Sequence, residues 1–250
     1  KIMANSFRVV IPVRYASSRL PGKPLLTFQH KPIIEHVYNN ACESDAASVL
    51  IATDDERIAE VAEKFGAKVC MTSADHMSGT DRITEAVEKQ GWPDDEVIVN
   101  LQGDEPQMPA VNIKQVAKLL LNNPNAAIGT LCYRIHTIQD YEDPNVVKVT
   151  KNSKSRALYF SRSSLPYIRN VDVKVLKENN VFRHVGIYSY RINYLKQFIK
   201  MPASPLEQIE KLEQLRALEN GDEIVVEECM APPGIGVDTM NDYHRLKVSG

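Results

Sequence analysis

Long apolar runs are missing from this 250-residue chain, and none approaches the roughly 18 residues that a bilayer-spanning helix needs. Its opening also lacks the extended apolar core and small-residue cleavage site of a secretory signal, so a cytoplasmic protein with no membrane partner is expected. Lys1 and Ile2 precede the first candidate initiator, Met3, and are given no weight in the reading of the fold. Positive charge is not in surplus. With 30 Lys and Arg against 32 Asp and Glu the formal net charge is −2, which argues against a nucleic-acid partner. Cysteine is sparse and scattered. The four residues, Cys42, Cys70, Cys132 and Cys229, form neither a CxxC zinc pattern nor a disulfide scaffold, and reduced, mostly buried thiols are expected. Hydrolase signatures are absent too: there is no GxSxG elbow and no HExxH.

What is present is an alternation of short apolar strands and amphipathic helices. FRVVIPV, at 7–13, is the nearly continuous apolar run of a strand covered on both faces. After Pro32, the residues Ile33, Ile34, Val37, Tyr38 and Ala41 recur at helical spacing. Strands at 48–53, 68–71 and 96–101 then alternate with helices at 55–65, stopped by Gly66, and 82–89. This predicts a doubly wound, mostly parallel α/β sheet. From residue 126 the strands at 128–134, 146–150, 157–161 and 185–190 are joined by loops rather than regular helices, predicting a mixed or antiparallel extension or a small lobe. The polar stretch 166–180 is expected to be mobile or to contact another subunit. The strongest single helix is predicted at 205–219, with Leu206, Ile209, Leu212, Leu215 and Leu218 on one stripe and Asn220-Gly221 as its stop. A strand at 223–229 and a short helix at 242–248 complete the chain.

In open α/β sheets ligands bind beyond the carboxyl ends of the strands. The loop after the first strand carries Arg14, Ser17, Ser18, Arg19 and Lys23, held by Pro21, Gly22 and Pro24, a charge set suited to a triphosphate. It is neither a Walker A loop nor GxGxxG, and a solvated basic loop is the plain alternative. After the strand at 96–101, Gln102-Gly103-Asp104 places a carboxylate where Mg²⁺ could meet phosphate oxygens, or where a helix could be capped. Asp238 follows Gly234 and Gly236, where a short strand is expected to give way to a helix, and pairs with Asp104 as a second metal arm. Ser78, Gly79 and Arg82 suit a base edge, while Thr80 and Asp81 equally suit a helix cap. His184, Gly186 and Tyr188 alternate along one strand face and either line a sugar pocket or serve the core. Glu213 and Gln214 lie off the leucine stripe, so a solvated face is expected for both.

PVRYASSRLPGKPL, ADHMSGTDR, NLQGDEP, FRHVGIY, EKLEQLR and GVDT, in this order and spread over 7–246, resemble the 3-deoxy-manno-octulosonate cytidylyltransferases, or CMP-Kdo synthetases. The resemblance implies one domain over 7–250 with a Rossmann-like α/β fold of the nucleotide-diphospho-sugar transferase type, with 7–125 binding nucleotide and 126–250 binding sugar and forming a homodimer. It implies transfer of CMP from CTP to the anomeric hydroxyl of Kdo, release of pyrophosphate, Mg²⁺ as cofactor and service to lipopolysaccharide assembly. Carried onto this sequence, Arg14, Ser17, Arg19 and Lys23 meet the triphosphate, and Ser78, Gly79, Arg82 and Gln102 the cytidine. Asp104 and Asp238 hold the metal, Arg162, His184, Tyr188, Glu213 and Gln214 the sugar, and Arg19, Lys23, Asp104 and Asp238 are the catalytic set. Gln29-His30-Lys31-Pro32 departs from the pattern, which has a glycine before the Lys-Pro pair. Sialic-acid cytidylyltransferases carry an Arg-Gly-Gly-Ser-Lys type first loop, from which RYASSRLPGKPL differs, favouring Kdo over sialic acid; a cytidylyltransferase for another 2-keto acidic sugar, such as sialic acid or an amino-Kdo analogue, is the near alternative. A catalytically silent nucleotide-binding subunit is the rival of another class.

Overall fold

The computed structural model describes residues 6–249 except 18 and 179, so the readings of Lys1, Ile2, Met3 and Ser18 lie outside the described residues. The first half runs β1 (Phe7–Val13), β2 (Thr27–Phe28), β3 (Lys31–Pro32), α1 (Ile33–Cys42), β4 (Ser48–Thr53), α2 (Glu56–Lys64), β5 (Lys68–Met71), α3 (Gly79–Gln90), β6 (Val97–Asn100) and α4 (Ala110–Leu121). The second half runs β7 (Ile128–Arg134), α5 (Ile138–Glu142), β8 (Lys148–Lys151), β9 (Ala157–Ser161), α6 (Val173–Glu178), β10 (Phe182–Arg191), α7 (Ile192–Phe198), α8 (Pro205–Glu210), α9 (Leu215–Glu219), β11 (Ile224–Glu228) and α10 (Met240–Ser249).

Every residue of β1 except Arg8 is buried, because the strand lies between β4 and β6 in a sheet covered on both faces. The order is β11-β7-β10-β6-β1-β4-β5. β1 pairs in parallel with β4 and β6, and β4 with β5, so their carboxyl ends open on one edge. β10 runs antiparallel to β6 and β7, and β11 returns parallel to β7. β8 and β9 form the antiparallel extension, joined to the start of β10. Val9, Ile11 and Val99 pack with α1 and α4 on one face; Val10, Leu50 and Ile98 pack with α3 and α7 on the other. Burying each such side chain contributes about 1.5–3 kcal/mol.

Several expectations are corrected. The helix expected at 82–89 starts at Gly79, because Ser78 caps it and Asp81 reciprocates in a capping box; the cap is Ser78, not Thr80. α4 is a full helix that the sequence pattern does not reveal, and in the second half α5 and α6 stand where loops between strands are expected. The segment 166–180 is not all loop: it contains α6, whose Leu176 is buried against Ile135, Tyr141 and Val181, while Tyr167 stays exposed for the expected subunit contact. No strand precedes Asp238; a loop carries it to α10.

The single helix expected at 205–219 is two. Lys211 takes left-handed backbone, φ 55°, and closes α8 through its N–H to Glu207 O. Arg216 grips Glu207 through both arms of its guanidinium, at 2.8 and 2.6 Å, and folds α9 back beside α8. The leucine stripe is split accordingly: Leu212 and Leu215 are buried while Ile209 is 77% exposed.

The departure at 29–32 has a structural consequence. Gln29 and His30 both have positive φ, 45° and 65°, in the tight turn between β2 and β3, a geometry that glycine adopts without steric cost. His30→Gly is expected to stabilise the protein by about 0.5–1 kcal/mol. A urea midpoint moved upward at unchanged m would show it, and a lowered midpoint would contradict it.

Candidate active site

Three loops meet beyond the ends of β1 and β6. The first leaves β1 and turns back at Gly22, which has φ 70° and donates its N–H to Tyr15 O at 3.0 Å. A side chain there would press on the Tyr15 ring at 3.0 Å. The guanidinium of Arg57 covers that ring at 3.4 Å from its centroid, and Asp55, the cap of α2, holds Arg57 at 2.9 and 2.6 Å. The loop that carries the cations is thereby pinned from beneath.

Lys23 is the meeting point of the other two loops. Its Nζ donates to Asp104 Oδ2 at 2.5 Å and to Asp238 Oδ1 at 3.0 Å, and Arg19 Nη2 lies 3.1 Å from the same Asp238 oxygen. Val237 N–H donates to Asp104 O at 2.8 Å, tying the two carboxylate loops by their backbones. Gly103 lets this happen: a Cβ there would lie 2.8 Å from Val13 Cγ2 and 3.2 Å from Pro12 O.

Burial alone would lower the Lys23 pKa, but Asp104 and then Asp238 outweigh it and raise it, so the ammonium stays charged. Burial raises the Asp104 pKa, with Lys23 acting the other way. Its neighbour Glu105 is pushed up to about 8, by burial first and the Asp104 charge second.

Arg14, Ser17, Arg19, Lys23, Ser78, Gly79, Arg82, Gln102, Asp104 and Asp238 all line one cleft. Ser78 Oγ is committed to α3, accepting from Asp81 N–H at 3.1 Å and donating to Asp81 Oδ2 at 2.8 Å. The start of α3, with Ser78 and Gly79, is thereby fixed on the cleft wall. Arg82 is only 3% exposed; its Nη1 donates to Thr72 Oγ1 at 2.6 Å and its Nη2 lies 3.3 Å from Asp54 Oδ2, which fixes the guanidinium plane. Gln102 Nε2 donates to Asn100 Oδ1 at 2.8 Å, leaving its carbonyl oxygen beside Gly79.

The residues predicted for the sugar do not line this cleft. His184 and Tyr188 share a face of β10, with ring centroids 5.4 Å apart. Glu213 reaches that neighbourhood because the chain breaks at Lys211: burial raises its pKa, opposed by a hydrogen bond with Thr80, two residues past Ser78. Gln214 is 5% exposed, so the expected solvated face is corrected for both residues. Arg162 is held by backbone carbonyls, with its Nε on Glu210 O at 2.7 Å and its Nη1 on Pro144 O at 3.1 Å. It fastens the end of β9 to the end of α8.

Sequence reading missed Tyr15, Arg57, Asp54, His76, Glu85 and Glu105. His76, which lines the cleft, is bonded through Nε2 to Glu85 Oε2 on α3. Only Glu105 had a sequence signal, its place beside Asp104.

Among the described residues no group of three or more His, Cys, Asp or Glu is arranged to hold a metal alone. Asp104 and Asp238 nevertheless converge on a single cation, the Lys23 ammonium. Two carboxylates opening onto a cleft with phosphate-binding cations fit Mg²⁺, which takes one or two carboxylates and completes its shell with water and phosphate oxygens.

The sequence model of the cytidylyltransferases matches residues 8–224. The chain is 49% identical over 247 residues to a 3-deoxy-manno-octulosonate cytidylyltransferase of Hahella chejuensis, covering 97% of each. It is 50% identical over 244 residues to one of Alteromonas mediterranea, covering 96% of this chain and 98% of the other. Among solved structures, CMP:2-keto-3-deoxy-manno-octonic acid synthetase complexed with CTP superposes with TM-score 0.89 at 41% identity, covering 98% of both chains.

His184 offers a test of the face assigned to the sugar. Burial lowers its pKa to about 3, against an ordinary 6.5, and its Nε2 pairs with Thr130 Oγ1 at 2.8 Å. Its contribution to stability is full above pH 6.5 and is lost as the pH falls toward 3, because only the unfolded chain takes up the proton readily in that window. NMR titration is expected to find the His184 ring neutral from pH 8 to about pH 5; a ring that titrates near its ordinary value would contradict this burial.

Proposed function

Because the chain belongs to the 3-deoxy-manno-octulosonate cytidylyltransferases, it transfers CMP from CTP to 3-deoxy-manno-octulosonate (Kdo), and we propose that the cleft around Lys23 does so with Mg²⁺ on Asp104 and Asp238. The observation that carries the proposal is the convergence of Lys23, Arg19 and both carboxylates beyond the ends of β1 and β6.

The transfer is an in-line attack of the Kdo anomeric hydroxyl on the α-phosphorus, with pyrophosphate leaving. Negative charge grows on the phosphate oxygens, so positioning and fixed positive charge do most of the work. Arg14, Ser17 and Arg19 hold the triphosphate, on a loop braced by Tyr15 and Arg57. Lys23, its charge secured by the carboxylates, shifts from them toward the phosphates as CTP enters. Gly79, Arg82 and Gln102 meet the cytidine, while Ser78 serves by capping α3. Bound Mg²⁺ would neutralise phosphate charge and acidify the sugar hydroxyl. His184, Tyr188, Glu213 and Gln214 form the sugar side, and Arg162 supports it by holding the break after α8. Cytoplasmic homodimers complete the reading; Leu158 and Tyr167, large exposed apolar residues of the second half, support a subunit contact there.

Pyrophosphate release should require CTP and Kdo together. Release with sialic acid instead would overturn the sugar, and none with any acceptor, despite CTP binding, would leave a silent subunit. Asp104→Asn is expected to lose most turnover at limiting Mg²⁺. Lys23→Ala should lower kcat by roughly 10²-fold or more, whereas a change confined to the KM for CTP would make Lys23 a ground-state contact.

A further inference from the structure

Glu85, on the second turn of α3, takes no part in the reading above. Three groups converge on it: Ser73 N–H at 2.9 Å, Lys89 Nζ at 2.6 Å and His76 Nε2. Burial works to raise its pKa, but Lys89, the Ser73 N–H and His76 together hold it at about 2, so it is a carboxylate at any working pH. A carboxylate only accepts hydrogen bonds. The Nε2 of His76 must therefore carry the proton of that bond, and a ring holding this one proton has its lone pair on Nδ1.

His76 lines the cleft beside Ser78, Gly79 and Arg82. Gln102 has spent its amide N–H₂ on Asn100, so it too offers that end of the cleft an acceptor. Cytosine and uracil differ at C4, where cytosine presents an amino donor and uracil a carbonyl acceptor, and at N3, where cytosine presents an acceptor and uracil an N–H donor; the contrast that matters here is the one at C4. An acceptor fixed on the cleft wall suits the amino donor and repels the carbonyl.

We propose that His76 is a specificity-determining residue that accepts a hydrogen bond from the exocyclic amino group of the base, and that Glu85 is the positioning residue that fixes its tautomer. The proposal rests on the reading of the cleft as the CTP site. It gives this chain a discrimination between CTP and UTP that depends on a proton position as well as on shape.

The test compares kcat/KM for CTP and UTP, with Kdo as acceptor, in the wild type, His76→Gln and Glu85→Gln. His76→Gln keeps a donor for Glu85 but removes the Nδ1 acceptor, and is expected to narrow the preference for CTP by about tenfold, through loss with CTP. Glu85→Gln is expected to narrow it less. In ¹⁵N spectra the wild-type ring should show Nε2–H alone, and the Glu85→Gln ring a mixture of tautomers. Unchanged selectivity in Glu85→Gln although its ring has become a mixture of tautomers would overturn the role of His76 even if His76→Gln fails to fold, and an unchanged tautomer would overturn the role of Glu85. Calorimetry of wild type with CTP separates the two levels: no binding would remove the CTP site itself, whereas normal binding with unmoved selectivity would remove only the role of His76.

Discussion

One ammonium group ties together three distant parts of the chain. Lys23 lies 81 residues from Asp104 and 215 from Asp238, yet it bonds both, so the loop after β1, the loop after β6 and the segment before α10 have to arrive together. The rest of the structure makes that meeting possible. Parallel pairing of β1 with β6 sets the two loops side by side, Gly103 lets them touch, and the Val237 to Asp104 backbone bond brings in the third. Tyr15 and Arg57 stiffen the first loop from below.

Such a cluster is a poor choice for stability alone, since partly buried charges forfeit hydration that their mutual attraction only partly restores. Its benefit comes with the substrate. Lys23 offsets the charge of two neighbouring carboxylates in the free protein, and the same ammonium is available to phosphate oxygens once CTP and a divalent cation enter. A site that must gather negative charge is thus preassembled without collapsing on itself.

The sequence was informative where a local pattern decides the structure. Apolar runs at β1 and β4 gave those strands their observed bounds, because a strand buried on both faces leaves little else for such residues to do. Lys23 and Asp104 were legible from their places after strands, and Asp238 from its glycine-bracketed loop. The leucine stripe at 205–219 misled, since helical periodicity cannot register Lys211 in left-handed backbone or the Arg216 to Glu207 clamp, both imposed by folding. That break is what turns Glu213 and Gln214 from expected surface residues into enclosed ones. Glu85 and His76 were invisible for a similar reason: they meet only when the loop before α3 folds back over its second turn.

The account stands on the coupling of Lys23 to its carboxylates, which a double-mutant cycle in urea denaturation measures directly. Lys23→Met and Asp104→Asn, alone and combined, should show a coupling of at least about 1 kcal/mol, because each single change strands a partly buried charge that the double change removes. Additivity to within about 0.3–0.5 kcal/mol would mean that the bridge does not hold the loops together, and would contradict the account.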